Sequence, residues 1–522
     1  MRRAAIFGWG VVAPRSANID EFAANLETAD SWLAPFNGFG KDNFLVGQPK
    51  FDFATYQKWI EERFPPSRFK QLTDKMDVTS LYAVGAFIQA LDQNPGIETE
   101  LRDLGALAHV YVGTALGAFP TIYDTSITYY HGQRRWNRFW AAPERNAPLR
   151  EYLAGNTEGA PVRDPKLASN IDEREELEDV WYAYWAERSD QLDEFLAQLR
   201  AIEAVRVEGA VESGKLRVIR EKRRKIAQLH EQWGAPEPPW NLVSANVLWN
   251  IANTPSSQIS MLGKITGFSF APVAACSTFS VSLKLAIDAI DQGEAKLVVI
   301  GSADPPPHPM TVGAFYSARV LSADGELSKP LSGLKGTHVS GGAAIWIVGD
   351  LEWGLAHGFK PLGLEPLSVG VSADADHIIT PSKEGPRIAM QLALRAADTE
   401  ADAIGSWDLH ATATPGDFTE VENLLTVIPK QVLVTARKGT FGHGMGVGGG
   451  WELTAQYLGY EKGHLFPTTL NESEIHSTIR ELSQGFVFNR AVNFPSQPVG
   501  KLSMGVGGIN ACVISRPWDL TG

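Results

Sequence analysis

The sequence predicts an α/β fold built from layered sheets. Three observations carry that expectation. Strand-like and helix-like segments alternate in both halves of the chain; short, nearly continuous apolar runs such as Ala295-Lys-Leu-Val-Val-Ile-Gly301 read as strands buried inside a sheet; and 44% hydrophobic content over 522 residues supplies a large core. No residue-level repeat is visible.

Composition narrows the class. The chain has 47 basic against 60 acidic residues, a net charge of −13, which argues against nucleic acid or an anionic membrane as a general partner. Two cysteines exclude a disulfide framework and fit a reducing, cytoplasmic compartment. Met1-Arg-Arg starts like a signal peptide, but the glycine-broken apolar run behind it reads as a first core strand. No stretch approaches the roughly 18 uncharged apolar residues of a membrane span.

In chain order, residues 4–13 read as a buried strand, and Asn18-Ile-Asp20 caps a helix through about Leu26. Gly8-Trp-Gly10-Val-Val-Ala13 fits the loose dinucleotide pattern, yet Pro14 and Arg15 stand where a phosphate-binding helix should run. Residues 77–92 read as an amphipathic helix and His109-Val-Tyr-Val-Gly113 as a short strand. From about 120 to 240 the chain changes character. Leu177, Trp181, Tyr184, Leu192, Phe195, Leu199 and Ile202 keep a helical period, Glu208-Gly209 and Ser213-Gly214 punctuate it, and a second helix runs to Pro236-Glu-Pro-Pro239. This reads as a charged helical hairpin inserted into the α/β body. Its second arm carries Arg220, Arg223 and Arg224, either a solvated face or a dock for an acidic partner.

Ile265 to Val273 alternates like a strand and leads into Val273-Ala-Ala-Cys276-Ser-Thr278, after which Phe279, Leu283, Ala286, Ile287 and Ile290 recur at helical spacing. Cys276 therefore stands at a helix N-terminus, where free N–H groups and the helix dipole favour a thiolate. The plainer alternative is a buried cysteine acting as a small apolar residue. Further strands are expected at 295–301, 342–350 and 431–434, with a closing strand pair over 502–514, and an apolar-polar run from Ile404 to Leu409 precedes His410. Helices are expected at 383–398, 417–428 and 449–460.

Three stretches besides Cys276 carry chemistry: His410-Ala-Thr412-Ala-Thr414-Pro-Gly-Asp417-Phe-Thr-Glu420, Lys438-Gly-Thr-Phe-Gly442-His443, and the glycine turn Ser503-Met-Gly-Val506-Gly-Gly-Ile-Asn510. The glycines after His443 match G-x-G-x-x-G but lack a βαβ context. They point to backbone packed closely against something.

In order and spacing, these motifs resemble the β-ketoacyl synthase (ketosynthase) family of condensing enzymes, which have a thiolase-like fold. Ile6 to Pro14 with Phe22, Lys75-Met-Asp77, and Gly293 to Asp304 also resemble family segments. The resemblance implies two related α/β halves in an α-β-α-β-α arrangement, the first over 1–330 with the nucleophile and the insertion at about 120–240, the second over 331–522 with both histidines. It implies that Cys276 accepts an acyl group and that His410 and His443 hydrogen-bond a malonyl thioester as it loses carbon dioxide. Lys438 would organise charge around them, Thr412 and Thr414 would position loop or substrate, and the N–H groups of Cys276 and Val506 would form an oxyanion hole. No metal or cofactor is implied, since substrates ride on the phosphopantetheine of an acyl carrier protein. That carrier is the implied partner, with Lys75, Arg220, Arg223 and Arg224 as docking candidates, and the implied assembly is a homodimer.

The implied activity is decarboxylative Claisen condensation in fatty-acid or polyketide biosynthesis. The alternatives are an acyltransferase or thioester hydrolase using the same cysteine, and a non-catalytic carrier-binding scaffold. Three departures stand out: Ala411 and Ala413 where the family usually has glycine, Val506 where it commonly has phenylalanine, and the insertion itself. If those positions need positive φ, alanine there carries strain.

Overall fold

The computed structural model describes residues 2–40, 43–156, 162–205, 211–378, 382–429 and 431–518. By internal contacts the chain divides into one unit made of Met1–Pro120 with Leu248–Gly522 and a second made of Thr121–Val247.

The first unit is built on two five-stranded sheets. One contains β1 (Ala4–Val12), β2 (Ala108–Gly113), β3 (Ser269–Phe270), β4 (Leu297–Asp304) and β5 (Gly342–Asp350), in the order β1-β5-β4-β2-β3. The other contains β6 (Glu365–Ala373), β7 (Ser406–Asp408), β8 (Leu433–Thr435), β9 (Val499–Gly505) and β10 (Ile509–Arg516), in the order β6-β10-β9-β7-β8. Each order maps onto the other by adding five to the strand number. The pairing matches as well: β1/β5 and β5/β4 are antiparallel with β4/β2 and β2/β3 parallel, and β6/β10, β10/β9, β9/β7 and β7/β8 repeat that pattern. A repeat invisible residue by residue is thus complete in topology. Because β5 pairs with both β1 and β4, the changeover between sheets falls after Asp350, later than the expected 330/331 boundary.

Strand alternation sorts side chains into three cores. Ala344, Trp346 and Val348 of β5 join Val298 and Ile300 of β4 in a central core, while Ala343, Ile345 and Ile347 join Leu297 and Val299 in an outer one. In the second sheet, Ala511 and Val513 face the central core, and Cys512 and Ile514 face a third. Seven helices of this unit matter below: α1 (Ile19–Leu26), α2 (Val78–Leu91), α3 (Thr254–Gly263), α4 (Thr278–Gln292), α5 (Glu384–Ala396), α6 (Gly416–Val427) and α7 (Gly448–Lys462). α2 and α3 contribute to one outer core, α5 and α6 to the other, and α4 and α7 to the central one. That is the expected five-layer arrangement.

Local chemistry sets several of these elements. Asn18 caps α1 by accepting the Glu21 N–H at 2.9 Å. α2, expected to be amphipathic, is buried from Thr79 through Leu91 because α3 covers the side turned away from the sheet. The glycines of the β1 dinucleotide-like pattern serve that contact. A Cβ on Gly8 would lie 2.2 Å from the Ala90 carbonyl oxygen and one on Gly10 1.9 Å from that of Ala86, so only glycine lets α2 approach.

The second unit is helical and larger than a hairpin. Its longer helices are Phe119–Trp140, Ile171–Glu187, Asp190–Glu203 and Val211–Trp233, around Trp136, Trp140, Trp181, Trp185 and Phe195. The period running from Leu177 to Ile202 spans two helices. The helix, not the period, is interrupted at Ser189, which caps the second helix by accepting the Leu192 N–H. Ser213-Gly214, expected to interrupt, lies inside the last helix, and the Glu208-Gly209 break lies outside the described residues. No helix among the described residues is long and apolar enough to cross a membrane.

Candidate active site

α4 and α7 occupy matching places in the two halves, each leading from a parallel strand into the central core. Each is preceded by one 3₁₀ turn, Ala275–Ser277 and Met445–Val447, that opens on a residue with positive φ, Ala275 at 48° and Met445 at 53°. The chemistry-bearing residues cluster at these two turns and at the end of β7.

Cys276 sits in the first turn and is 7% exposed. The expected β approach shrinks to β3, because the chain between Phe270 and Ala275 is irregular. Thr278 holds the turn, its hydroxyl donating to the Ala275 carbonyl at 2.7 Å and accepting the Ala274 N–H at 3.0 Å. Ser277 ties it to the closing turn through the Ile509 carbonyl at 2.8 Å. Burial pushes the Cys276 thiol up to about 11, and the N–H groups of Val506 and Cys276 and the charge of Lys438 pull the other way without offsetting it. Desolvation outweighs the dipole here, the reverse of the direction expected from a helix N-terminus. At neutral pH the group rests as a thiol. The same two N–H groups are the pair expected to form an oxyanion hole. A Cβ on Gly505 would come 2.8 Å from the Ala274 carbonyl, which is why glycine stands where the closing turn meets the Cys276 turn.

His410 follows β7, and His443 precedes the second 3₁₀ turn. Their rings lie 5.4 Å apart between centroids at 84°. Each has its tautomer set by a donor on Nδ1. Met445 N–H donates to Nδ1 of His443 at 3.1 Å, and the Lys438 ammonium, which can only donate, lies 3.4 Å from Nδ1 of His410. Both imidazoles therefore carry their proton on Nε2. Burial, followed by the charge of Lys438, holds His443 down at about 3 and His410 well below the usual histidine range, so both are neutral at physiological pH.

The His410 loop is held from beneath by α6. The Glu420 carboxylate accepts the N–H groups of His410 and Ala411, each at 2.7 Å. Asp417 accepts those of Leu331 and Thr412 at 2.8 Å and of Ala413 at 3.1 Å. Burial raises these acids to about 8 and about 6, against the pull of the same N–H donors. Thr412 and Thr414 join hydroxyls at 2.9 Å at the cavity wall. Of the two alanines in glycine positions, only Ala413 has positive φ, 59°. Strain is confined to that one residue, at a cost of about 1–2 kcal/mol.

Cys276, His410, Thr412, Thr414, His443 and Val506 line one cavity of about 130 Å³, closed on its apolar side by Phe315, Ile378 and Met504. Val506 is half exposed. Lys438 lies behind the wall, fully buried, donating to Glu452 Oε1 at 2.6 Å and to the His410 carbonyl. Glu452, Lys501 and Asp408 escaped the sequence reading. The only signal for them was a lone charge inside an apolar run, as in Gly448–Gly459 for Glu452. Lys75 is exposed in the first unit, 6.0 Å from the Trp249 ring, and Arg220, Arg223 and Arg224 are exposed in the second. Among the described residues no group of three or more His, Cys, Asp or Glu is placed to hold a metal ion.

Solved structures place the fold in the thiolase-like ketosynthase class. The ishigamide ketosynthase/chain length factor matches with a TM-score of 0.69 at 21% identity, covering 99% of this chain and 100% of that one. A β-ketoacyl synthase from Burkholderia phymatum STM815 matches at 0.67 and 18%, with the same coverage. Family profiles for the β-ketoacyl synthase N-terminal domain and C-terminal domain match residues 225–352 and 367–472 and support a β-ketoacyl synthase family. Relatives include the 3-oxoacyl-[acyl-carrier-protein] synthase 2 of Vibrio cholerae serotype O1, 30% identical over 233 residues, 42% of this chain and 56% of that protein. The enzyme of the same description from Rhizobium meliloti is 29% identical over 278 residues, 51% and 65% of the two chains. The chain thus spans less than two thirds of the length of these curated relatives.

Proposed function

We propose that the protein is a condensing enzyme that joins an acyl group held on Cys276 to a malonyl group delivered by an acyl carrier protein, with loss of carbon dioxide. One observation carries this reading: a buried thiol shares a small cavity with two neutral imidazoles, each with its proton on Nε2. In the first half-reaction the Cys276 sulfur attacks the thioester carbonyl, the new C–S bond forms as the carrier's C–S bond breaks, and the thiol proton leaves with the carrier's sulfur. The N–H groups of Cys276 and Val506 receive the oxyanion. In the second, the bond to the malonyl carboxylate breaks, carbon dioxide leaves, and the electron pair becomes an enolate whose oxygen takes hydrogen bonds from His410 and His443. The enolate carbon attacks the acyl-cysteine and releases the 3-ketoacyl product and the Cys276 thiolate, which regains a proton. A cationic imidazole would also donate, but bringing a charge into this desolvated site is costly, so neutral donors suit the step.

Thr412 and Thr414 fit the positioning of the pantetheine arm, since their paired hydroxyls stand at the cavity wall. For the carrier itself, acidic partners are favoured by exposed Arg220, Arg223 and Arg224 and by Lys75. The homodimer is supported by β3, the edge strand of its sheet among the described residues, flanked by Met261, Phe268 and Val273 at 50%, 59% and 60% exposure. The cytoplasm suits a nucleophile that is a free thiol.

The experiment is incubation of the full chain with acyl thioester and malonyl carrier protein, with Cys276→Ala as control. A 3-ketoacyl product from wild type and none from the variant is expected. Acyl transfer or hydrolysis without carbon dioxide would make the protein an acyltransferase or hydrolase, and covalent labelling of Cys276→Ala would remove the nucleophile assignment.

A further inference from the structure

Behind the two histidines lies a chain of buried charges that the proposed reaction does not by itself require. Lys438 and Lys501 grip the two oxygens of one carboxylate, Glu452, at 2.6 Å to Oε1 and 2.8 Å to Oε2. Lys501 continues to Asp408 Oδ1 at 3.5 Å, and Asp408 Oδ2 lies 3.4 Å from Nε of Arg437. None of these five side chains is more than 2% exposed. Three cations against two carboxylates leave the cluster one positive charge in excess. Burying charge without need is expensive, and an excess charge more so.

Lys438 is the member in contact with an imidazole, and Lys501 stands one carboxylate behind it. Lys501 enters from β9, donates to the carbonyls of Leu502 at 2.5 Å and Leu409 at 3.4 Å, and so reaches the residue just before His410. We propose that Lys501 is a positioning residue. It anchors Glu452 from the side opposite Lys438, fixing the Lys438 ammonium against His410, and it supplies the surplus positive charge that keeps His410 and His443 neutral donors. The proposal rests on the reaction set out above.

Other charged groups pull the opposite way or are already committed. Glu420 and Asp417 of α6 face the His410 loop, but their carboxylates are occupied by five of its backbone N–H groups and that of Leu331. Asp304 on β4 is taken up by Thr114, Ala115 and Leu116. On the cavity side, Asp374 bonds Asn510 and Ser382, while His377 and Cys276 complete the titratable wall. Cys512 on β10 lies close enough for Lys501 to lower its thiol against burial. The acids around Lys501, Glu452 first, hold its ammonium charged against desolvation, and its charge in turn acts on both histidines.

The test compares full-length wild type with Lys501→Gln, Lys501→Met and Lys501→Arg. It reads the pH profile of carbon dioxide release from a malonyl thioester, the titration of His410 and His443 by NMR of histidine-labelled protein, and Cys276 acylation. We expect both neutral variants to move the acid limb and the imidazole titrations up by about one pH unit, about a tenfold loss of decarboxylation rate below the limb with KM unchanged. Lys501→Arg keeps the wild-type profile, and acylation stays within about threefold in all. Neutral variants with wild-type titrations, or an arginine variant shifted as far as the neutral ones, overturn the proposal. So does loss of folding in both neutral variants with retention in Lys501→Arg, which would make the charge purely structural. If wild type releases no carbon dioxide, the proposed reaction fails, while the NMR titration still decides the role of Lys501.

Discussion

The neutrality of His443 has a thermodynamic signature that needs no substrate. Its pKa is held at about 3 in the folded protein, first by burial and then by Lys438, against about 6.5 for an unfolded chain. The unfolded state therefore binds the extra proton first. Above pH 6.5 both states are neutral and the residue adds no pH dependence. As pH falls below 6.5 the unfolded state is progressively favoured, until the folded imidazole titrates near 3. At pH 5 the gap is about 1.5 units, and at about 1.36 kcal/mol per unit it costs about 2 kcal/mol relative to pH 7. His443→Asn removes the titration while its amide oxygen replaces Nδ1 as acceptor for the Met445 N–H. The assay is urea unfolding of wild type and variant at pH 7 and pH 5. We expect wild type to lose about 2 kcal/mol more than the variant between the two. Equal losses would mean that His443 is not held neutral by the fold, and the argument for two neutral donors would fail with it.

Two further outcomes follow from the geometry. Ala413 has φ of 59°, so Ala413→Val should destabilise by at least about 2 kcal/mol, because a β-branched residue fits that region worse than alanine, whereas Ala413→Gly should stay within about 1 kcal/mol of wild type; thermal melts of the two variants decide it. Reversing Arg220, Arg223 and Arg224 to glutamate should weaken binding of an acidic carrier protein about tenfold at low salt, with the difference shrinking at 0.5 M salt; titration calorimetry at two ionic strengths checks it, and an unchanged affinity at low salt assigns the arginines to a solvated surface.

Much of the site was legible because its chemistry lies in short, local patterns. A cysteine between a strand-like approach and a helix, a histidine in a threonine loop, and a lysine five residues before a second histidine are each readable from neighbours in the chain. The direction of the Cys276 shift was not, because a helix terminus is local and burial is not. The same holds for the partners of Lys438. Glu452 lies 14 residues away on α7, and Lys501 comes from a strand in the other arm of the sheet, 63 residues on. Each of the three lies on a different element, so no period within one helix or strand announces them. The second unit lies where the sequence placed it, but its make-up was misread as a hairpin for a related reason. Trp136 and Trp140 pack against Phe195 across a long stretch of sequence, and Ser189 ends one helix and caps the next without disturbing the apolar period.

By itself, the sequence determined many of the strands and helices of the α/β unit, that two apolar halves alternate α and β, and which side chains could act as nucleophile and donors, since propensity, capping and periodicity operate within a few residues. Only the tertiary structure decided that the two halves repeat one topology, that the Cys276 and His443 turns occupy matching places in it, and that Lys438, Glu452, Lys501, Asp408 and Arg437 form one buried chain of charge. Those outcomes depend on which sheet faces meet and on how much water the meeting removes, quantities that exist only once the chain has closed on itself.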